Sequence, residues 1–202
     1  MKIELPLFIL FEGIDGSGKT TLSELLFEFF KKKGVPAEFG HEPTEGVYGK
    51  EIRSLLQKEH AGDADDLLKL FLLDREDDAK KNILPSLKAG KAIVMDRYYF
   101  SNAAYQGAMG ISPESIITEN RKRNFPEPDR VYLVDIDPEV AVKRIAGRNN
   151  KTEIFEKKDF LKNVREIYHS VADNRFVILD GSKKISEIMK IIEQDILNNF
   201  YK

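Results

Sequence analysis

The sequence predicts an α/β domain in which a parallel β-sheet lies between two layers of helices. Two observations carry that expectation. Short, unbroken apolar runs alternate along the chain with longer stretches whose apolar residues recur at spacings of three and four. The runs also lack the polar alternation of a sheet with one wet face, which suits strands buried on both sides.

Taken in chain order, the first run is Leu7–Phe11, followed by a helical stretch at Thr20–Lys33. Lys31, Lys32 and Lys33 ahead of Gly34 place positive charge and a glycine where that helix should stop. Val35–Phe39 is a weaker apolar run, and Asp63–Leu87 reads as one long helix. After a turn at Ala89 and Gly90 come the run Ala92–Met95, the helix Pro113–Asn124 and the run Val131–Val134. Pro138–Arg148 and Lys157–Asp173 read as helices, Phe176–Leu179 as a strand closed by Asp180 and Gly181, and Ser186–Asn198 as the last helix. The result is a five-stranded parallel sheet flanked by helices, with right-handed crossovers. No repeat, linker or composition shift divides the chain, so a single domain over residues 1–202 is expected.

Thirty-two Lys and Arg against 34 Asp and Glu leave a formal charge of -2, so any anion site must be a local concentration of positive groups. Neither nucleic acid nor an anionic membrane is an expected partner. The absence of cysteine excludes disulfides, thiolate metal sites and cysteine nucleophiles. The longest apolar stretch, Leu5–Phe11, is broken by Pro6 and falls far short of the ~20 residues of a membrane helix. It lacks a small-residue cleavage site as well, so a cytoplasmic location is expected.

Gly13-Ile14-Asp15-Gly16-Ser17-Gly18-Lys19-Thr20 fits the phosphate-binding pattern G-x-x-x-x-G-K-[ST], with an apolar run before it and a helical stretch after it. Glycines at 13, 16 and 18 let the backbone curl so that successive N–H groups point inward, and the next helix adds the partial charge of its N-terminus. Asp15 and Ser17 lie in that cradle, with Thr21 just beyond it. Lys19 should reach the β and γ phosphates and the Thr20 hydroxyl should coordinate Mg²⁺, so ATP with Mg²⁺ is the expected ligand.

A phosphate cradle serves switches, motors and kinases alike. The nearest string to a guanine reader, Asn150 to Glu153, ends in Glu and follows no apolar strand. Asp96 and Arg97 stand at the C-terminal end of a buried run, the edge where ligands sit in open α/β sheets. Asp96 can hold the shell of Mg²⁺ and Arg97 can grip a phosphate bidentately, or the two can form a structural ion pair. Arg144, Arg148 and Lys151 form a basic stretch that reads as a short lid at about residues 144–156, or else as solvated helix charges. Phosphoryl transfer needs positioning and charge neutralisation, which this set supplies. A non-catalytic ATP-binding switch stays as the alternative outside enzymes. His60 and His169 show no partner pattern and read as ordinary surface or core residues.

Phe11 to Thr20, Glu42-Pro43-Thr44, Leu70-Phe71 with Arg75, Asp96-Arg97-Tyr98, Ala104 to Gly107 and Pro128-Asp129 follow one another in an order that resembles the thymidylate kinase family along almost the whole chain. The resemblance implies a P-loop fold and ATP-dependent phosphorylation of thymidine monophosphate (dTMP) to the diphosphate, in dTTP synthesis. It implies that Asp15 contacts the acceptor sugar 3′-hydroxyl, Phe71 stacks on thymine, Arg75 hydrogen-bonds a base carbonyl and Gln106 adds a second polar contact. By the same resemblance Tyr105 fills the place of a ribose 2′-hydroxyl and Arg97 holds the acceptor phosphate. On periodicity alone Phe71, beside Leu67, Leu68 and Leu70, is as readily core as base platform, and Tyr105 can simply pack.

Two departures bear on the site. His41 precedes Glu42 where the family often has Arg, and Thr44-Glu45-Gly46 follows in place of two glycines, which makes Arg53 the expected substitute phosphate contact. Gly16 and Ser17 occupy positions where some members carry a catalytic Arg, so the resemblance assigns that charge to the lid, to Arg148, with Arg144 nearer the adenine. A homodimer is implied because family members pair through helices. Among enzymes, a kinase of another nucleoside monophosphate or of a deoxynucleoside is the alternative.

Overall fold

The computed structural model describes residues 3–57, 63–146 and 158–201. Among these residues five parallel strands form one sheet: β1 Leu7–Glu12, β2 Ala37–His41, β3 Ala92–Asp96, β4 Arg130–Asp135 and β5 Phe176–Asp180, in the order β2-β3-β1-β4-β5. The central strand β1 pairs with β3 from Leu7 opposite Ala92 and with β4 from Ile9 opposite Arg130. Every residue of β1 and β3 is buried, which is why both read as unbroken apolar runs. The outer strands β2 and β5 are partly open, and Ile178 on β5 is 53% exposed. β2 starts two residues later than the apolar run Val35–Phe39, because the Val35 N–H still bonds Phe30 O at the helix exit and Pro36 has no N–H to give.

The helices are α1 Lys19–Lys32, α2 Val47–Leu56, α3 Ala64–Asp78, α4 Leu84–Lys88, α5 Tyr99–Ala108, α6 Pro113–Lys122, α7 Pro138–Ala146, α8 Lys158–Val171 and α9 Ile185–Phe200. Alternate side chains of β1 feed two cores. Leu7, Ile9 and Phe11 pack with Leu22, Leu26 and Phe30 of α1 and Ile192 and Ile196 of α9. Phe8 and Leu10 face the other layer, with Ile52 of α2, Leu67 and Leu72 of α3, Phe100 and Ala104 of α5, and Leu161 and Val164 of α8.

Two helices have no counterpart in the apolar spacing. In α5 every residue from Tyr99 to Gln106 is buried, so no polar face remains to mark a 3.6-residue period. α2 contains Gly49, and a Cβ there would lie 1.9 Å from Thr44 O, so this helix packs directly on the loop after β2. The long stretch expected at Asp63–Leu87 is helical but passes through a π-helical turn at Ala79–Ile83 between α3 and α4. No helix among the described residues is long and apolar enough to cross a membrane.

Candidate active site

The chain leaves β1 through Gly13 (φ 144°), Gly16 (φ 80°) and Gly18 (φ 98°) and enters α1 at Lys19. A Cβ at Gly13 would meet Val134 O at 2.6 Å, and one at Gly16 would meet Ala141 O at 2.7 Å. Both the left-handed backbone and the close approach therefore require glycine. Lys19 is buried, its Nζ 3.4 Å from Ile14 O and 3.5 Å from an Asp15 carboxylate oxygen. Burial and Arg97 push this ammonium below the usual lysine range, against the pull of Asp15, Asp96 and Glu12. Thr20 Oγ1 donates to Asp96 Oδ2 at 2.5 Å, and Thr21 follows, half-buried, in the first turn.

Asp96 Oδ1 and Ser17 Oγ are buried beside this loop with no hydrogen-bond partner among the described residues. Orphaned oxygens of this kind are costly unless a ligand or its water shell completes them. No cluster of three or more His, Asp or Glu suited to a metal occurs among the described residues. The cradle therefore fits a cation whose other ligands are phosphates and water, with Thr20 and Asp96 as the protein's share.

A cavity of about 320 Å³ opens next to the cradle, between the loop after β2, α3 and α5. All seven residues expected to hold the acceptor line it: Asp15, Arg53, Phe71, Arg75, Arg97, Tyr105 and Gln106. Arg97 has φ 70°, a region that non-glycine residues seldom occupy, while its N–H is held by Phe11 O at 2.9 Å. Its guanidinium pairs with Asp15, donates to Ser101 Oγ at 3.0 Å and to Tyr105 Oη at 3.4 Å, and lies over the Tyr105 ring. The ion partner of Arg97 is thus Asp15 and not its chain neighbour Asp96. Tyr105 Oη donates to Asp15 Oδ2 at 2.9 Å and accepts the Asp15 N–H at 3.1 Å. Burial works to raise the Asp15 carboxyl, but Arg97 and Lys19 outweigh it and lower the value to about 2. Burial and Asp15 push the Tyr105 phenol up, so it serves as a neutral donor.

Arg75 is wholly buried. Its Nε donates to Glu42 Oε1 at 3.1 Å, Nη2 to Glu42 Oε2 and to Asn102 Oδ1 at 2.6 Å, and Nη1 to Asn120 Oδ1 at 2.8 Å. Among the described residues those four bonds account for four of its five N–H groups. Burial, with Asp78 and Asp74 adding to it, raises the Glu42 carboxyl to about 8 against the pull of Arg75. Asp74 fixes the following loop by accepting the Thr44 N–H at 2.8 Å and the Thr44 hydroxyl at 2.6 Å. Gln106 Oε1 accepts from Asn102 Nδ2 at 3.0 Å. Phe71 packs against the core and lines the cavity too. At the rim Arg53 donates to Pro43 O at 2.8 Å and to Glu45 at 2.9 Å, close to His41.

On the other side of the cradle, Arg144 donates to Gly16 O at 3.4 Å, Ser17 O at 3.5 Å and Gly181 O at 3.1 Å. It ties the phosphate loop to the turn after β5. Arg148, Lys151, the lid from residue 147 on, and His60 lie outside the described residues. His169 does have a partner: its Nε2 is 3.2 Å from Asp135 Oδ1, and Asp135 also accepts both arms of Arg165 at 2.6 and 2.7 Å. That contact spans two elements, so no local pattern announces it. The sequence reading also passed over Glu12, Ser101 and Asn102. Of these only Glu12 left a trace, as a charged residue ending an otherwise apolar strand.

A family model described as thymidylate kinase matches residues 11–192. The chain is 40% identical over 200 residues to the thymidylate kinase of Leptospira borgpetersenii serovar Hardjo-bovis, spanning 99% of this chain and 98% of that protein. It is 42% identical over 190 residues to a probable thymidylate kinase of Archaeoglobus fulgidus, 94% of each chain. Over 209 residues it is 42% identical to a probable thymidylate kinase of Thermococcus onnurineus, spanning 95% of this chain and 99% of that protein.

Proposed function

The chain belongs to the thymidylate kinase family, and on that premise we propose that it transfers the γ-phosphoryl group of ATP to dTMP, releasing ADP and thymidine diphosphate for dTTP synthesis. One observation carries the reading. Asp15 is part of the cradle yet is bonded to Arg97 and Tyr105 of the cleft, so a triphosphate tail in the first would face a second nucleotide in the second.

An oxygen of the acceptor phosphate attacks the γ-phosphorus in line, and no general base is needed because that phosphate is already ionised. Lys19 and the N–H groups from Gly13 to Thr20 offset charge on the β and γ phosphates. Arg97 exchanges the Asp15 carboxylate for the acceptor phosphate, which frees Asp15 to accept the sugar 3′-hydroxyl. Phe71 stacks on thymine, Gln106 and the remaining N–H of Arg75 meet its edge, and Tyr105 excludes a ribose 2′-hydroxyl. Arg53 adds charge at the rim. Arg148 neutralises the phosphoryl group in transit, while Arg144 braces the loop beside the adenine. Thr20 and Asp96 would hold the Mg²⁺ that accompanies ATP, and the ion would supply further charge neutralisation to the phosphates. Residues 1–202 work as one domain, with the lid at about 144–156, in a cytoplasmic homodimer.

A coupled ADP-release assay across the monophosphates tests this. The expected outcome is preference for dTMP. Preference for UMP or AMP, phosphorylation of free thymidine alone, or ATP binding with no ADP formed on any acceptor would overturn it.

A further inference from the structure

Resting on that reading of the cleft, we propose that Glu12 is a positioning residue for the acceptor: through the Ser101 hydroxyl, it keeps the Arg97 guanidinium aimed at the acceptor phosphate. Glu12 ends β1 behind the cradle and is wholly buried, as is Tyr168, while Ser101 is 7% exposed. One carboxylate oxygen accepts the N–H groups of Tyr98 at 2.9 Å and Ser101 at 3.3 Å. It thereby caps the start of α5, whose own N-cap residue makes no side-chain bond. The other oxygen accepts the Ser101 hydroxyl at 2.6 Å and the Tyr168 hydroxyl at 3.0 Å.

The direction of these bonds is what matters. A guanidinium only donates, so Ser101 Oγ must accept from Arg97 Nη1 at 3.0 Å. The single hydroxyl proton of Ser101 is then free to point at Glu12, and the short 2.6 Å separation marks a charge-assisted bond. A carboxylate at position 12 therefore turns the serine lone pairs toward Arg97. It also fixes the helix that carries Asn102, Tyr105 and Gln106 into the cavity. Glu12→Gln keeps size and shape, and its carbonyl can still cap the two N–H groups. Its NH₂ group then faces Ser101 and Tyr168 and donates to them, so the serine proton loses its carboxylate acceptor and is left between Tyr168 Oη, 2.9 Å away, and the Arg97 donor. The guanidinium loses that support.

The test is titration of wild type, Glu12→Gln, Ser101→Ala and the double variant with dTMP and, separately, with thymidine, which lacks the phosphate. Glu12→Gln should weaken dTMP about tenfold, as the loss of a bond to a charged group does, with thymidine affinity and the KM for ATP unchanged. Ser101→Ala should behave the same way, and the double variant should be no worse than Ser101→Ala alone. Wild-type dTMP affinity in Glu12→Gln, equal weakening of dTMP and thymidine, or additive losses in the double variant would overturn the proposal. If Glu12→Gln does not fold, Ser101→Thr and Ser101→Ala take its place: Thr keeps the hydroxyl and should retain dTMP affinity, Ala should lose it, and equal affinities would overturn the proposal. If wild type itself does not bind dTMP, it is the acceptor reading of the cleft that fails.

Discussion

Asp15 and Arg97, 82 residues apart in the chain, form one ion pair where the phosphate cradle meets the acceptor cleft. The pair closes the cleft with an anion of the protein's own, and its partners Lys19 and Tyr105 hold Asp15 on both sides.

Asp15→Asn should destabilise the fold at neutral pH by about 2 kcal/mol, the free energy of lowering the carboxyl from 3.8 to about 2. The sign follows from proton binding. Between those two values the unfolded chain binds the proton and the folded chain does not, so wild type loses this contribution as pH falls from about 3.8 toward 2. Urea denaturation of both proteins should show the gap present at pH 7 and closing across that acid window. A gap that does not change with pH would show that Asp15 is not held as a carboxylate.

Arg75→Met should cost about 3–5 kcal/mol, because it strips the donors from the buried oxygens of Glu42, Asn102 and Asn120. At this chain length that corresponds to a fall in Tm of about 10 °C. Folded wild type keeps a proton on Glu42 up to about 8 while the unfolded chain releases it near 4.5, so wild type loses stability across that range and then levels off. Without Arg75 the folded value rises further, so the gap between the proteins should widen above about pH 8. Denaturation at pH 6 and pH 9 checks this.

Lys19→Met should lower kcat by at least about 10²–10³-fold, since it removes a preorganised charge from the transferring phosphoryl group. The residue is held by a long 3.4 Å bond to Ile14 O and a 3.5 Å ion pair with Asp15, and Asp15 keeps Arg97 and Tyr105 as partners, so the circular dichroism spectrum should hold. ADP release within tenfold of wild type would displace Lys19 from the chemistry.

Arg148→Ala should lower kcat by roughly 10²–10³-fold with little change in the KM for dTMP, because its contact forms mainly in the transition state. A normal kcat would place the lid charge on another residue, and the same assay on Lys151→Ala would then show whether it is that one.

Much of this was legible in the residues themselves. The unbroken apolar runs gave away β1 and β3 because burial on two faces leaves no polar alternation, and Gly13 to Thr20 announced the cradle because the curl demands glycine in chain order. The same reading missed α5, whose all-round burial from Tyr99 to Gln106 erases helical periodicity, and α2, whose Gly49 answers to a carbonyl from outside the helix. The alternative it left open for Asp96 and Arg97, a structural ion pair between them, gives way to a pair of Arg97 with Asp15.

What the sequence determined alone was therefore local: the alternation that makes a parallel sheet, and a loop whose glycines permit one backbone path. What only the tertiary structure decided was which charges meet. Arg75 with Glu42, Arg97 with Asp15 and Glu12 with Ser101 are joined across 33, 82 and 89 residues. Strand order brings the ends of β1, β2 and β3 to one edge, and a buried charge is stable there only beside a partner that no local pattern names.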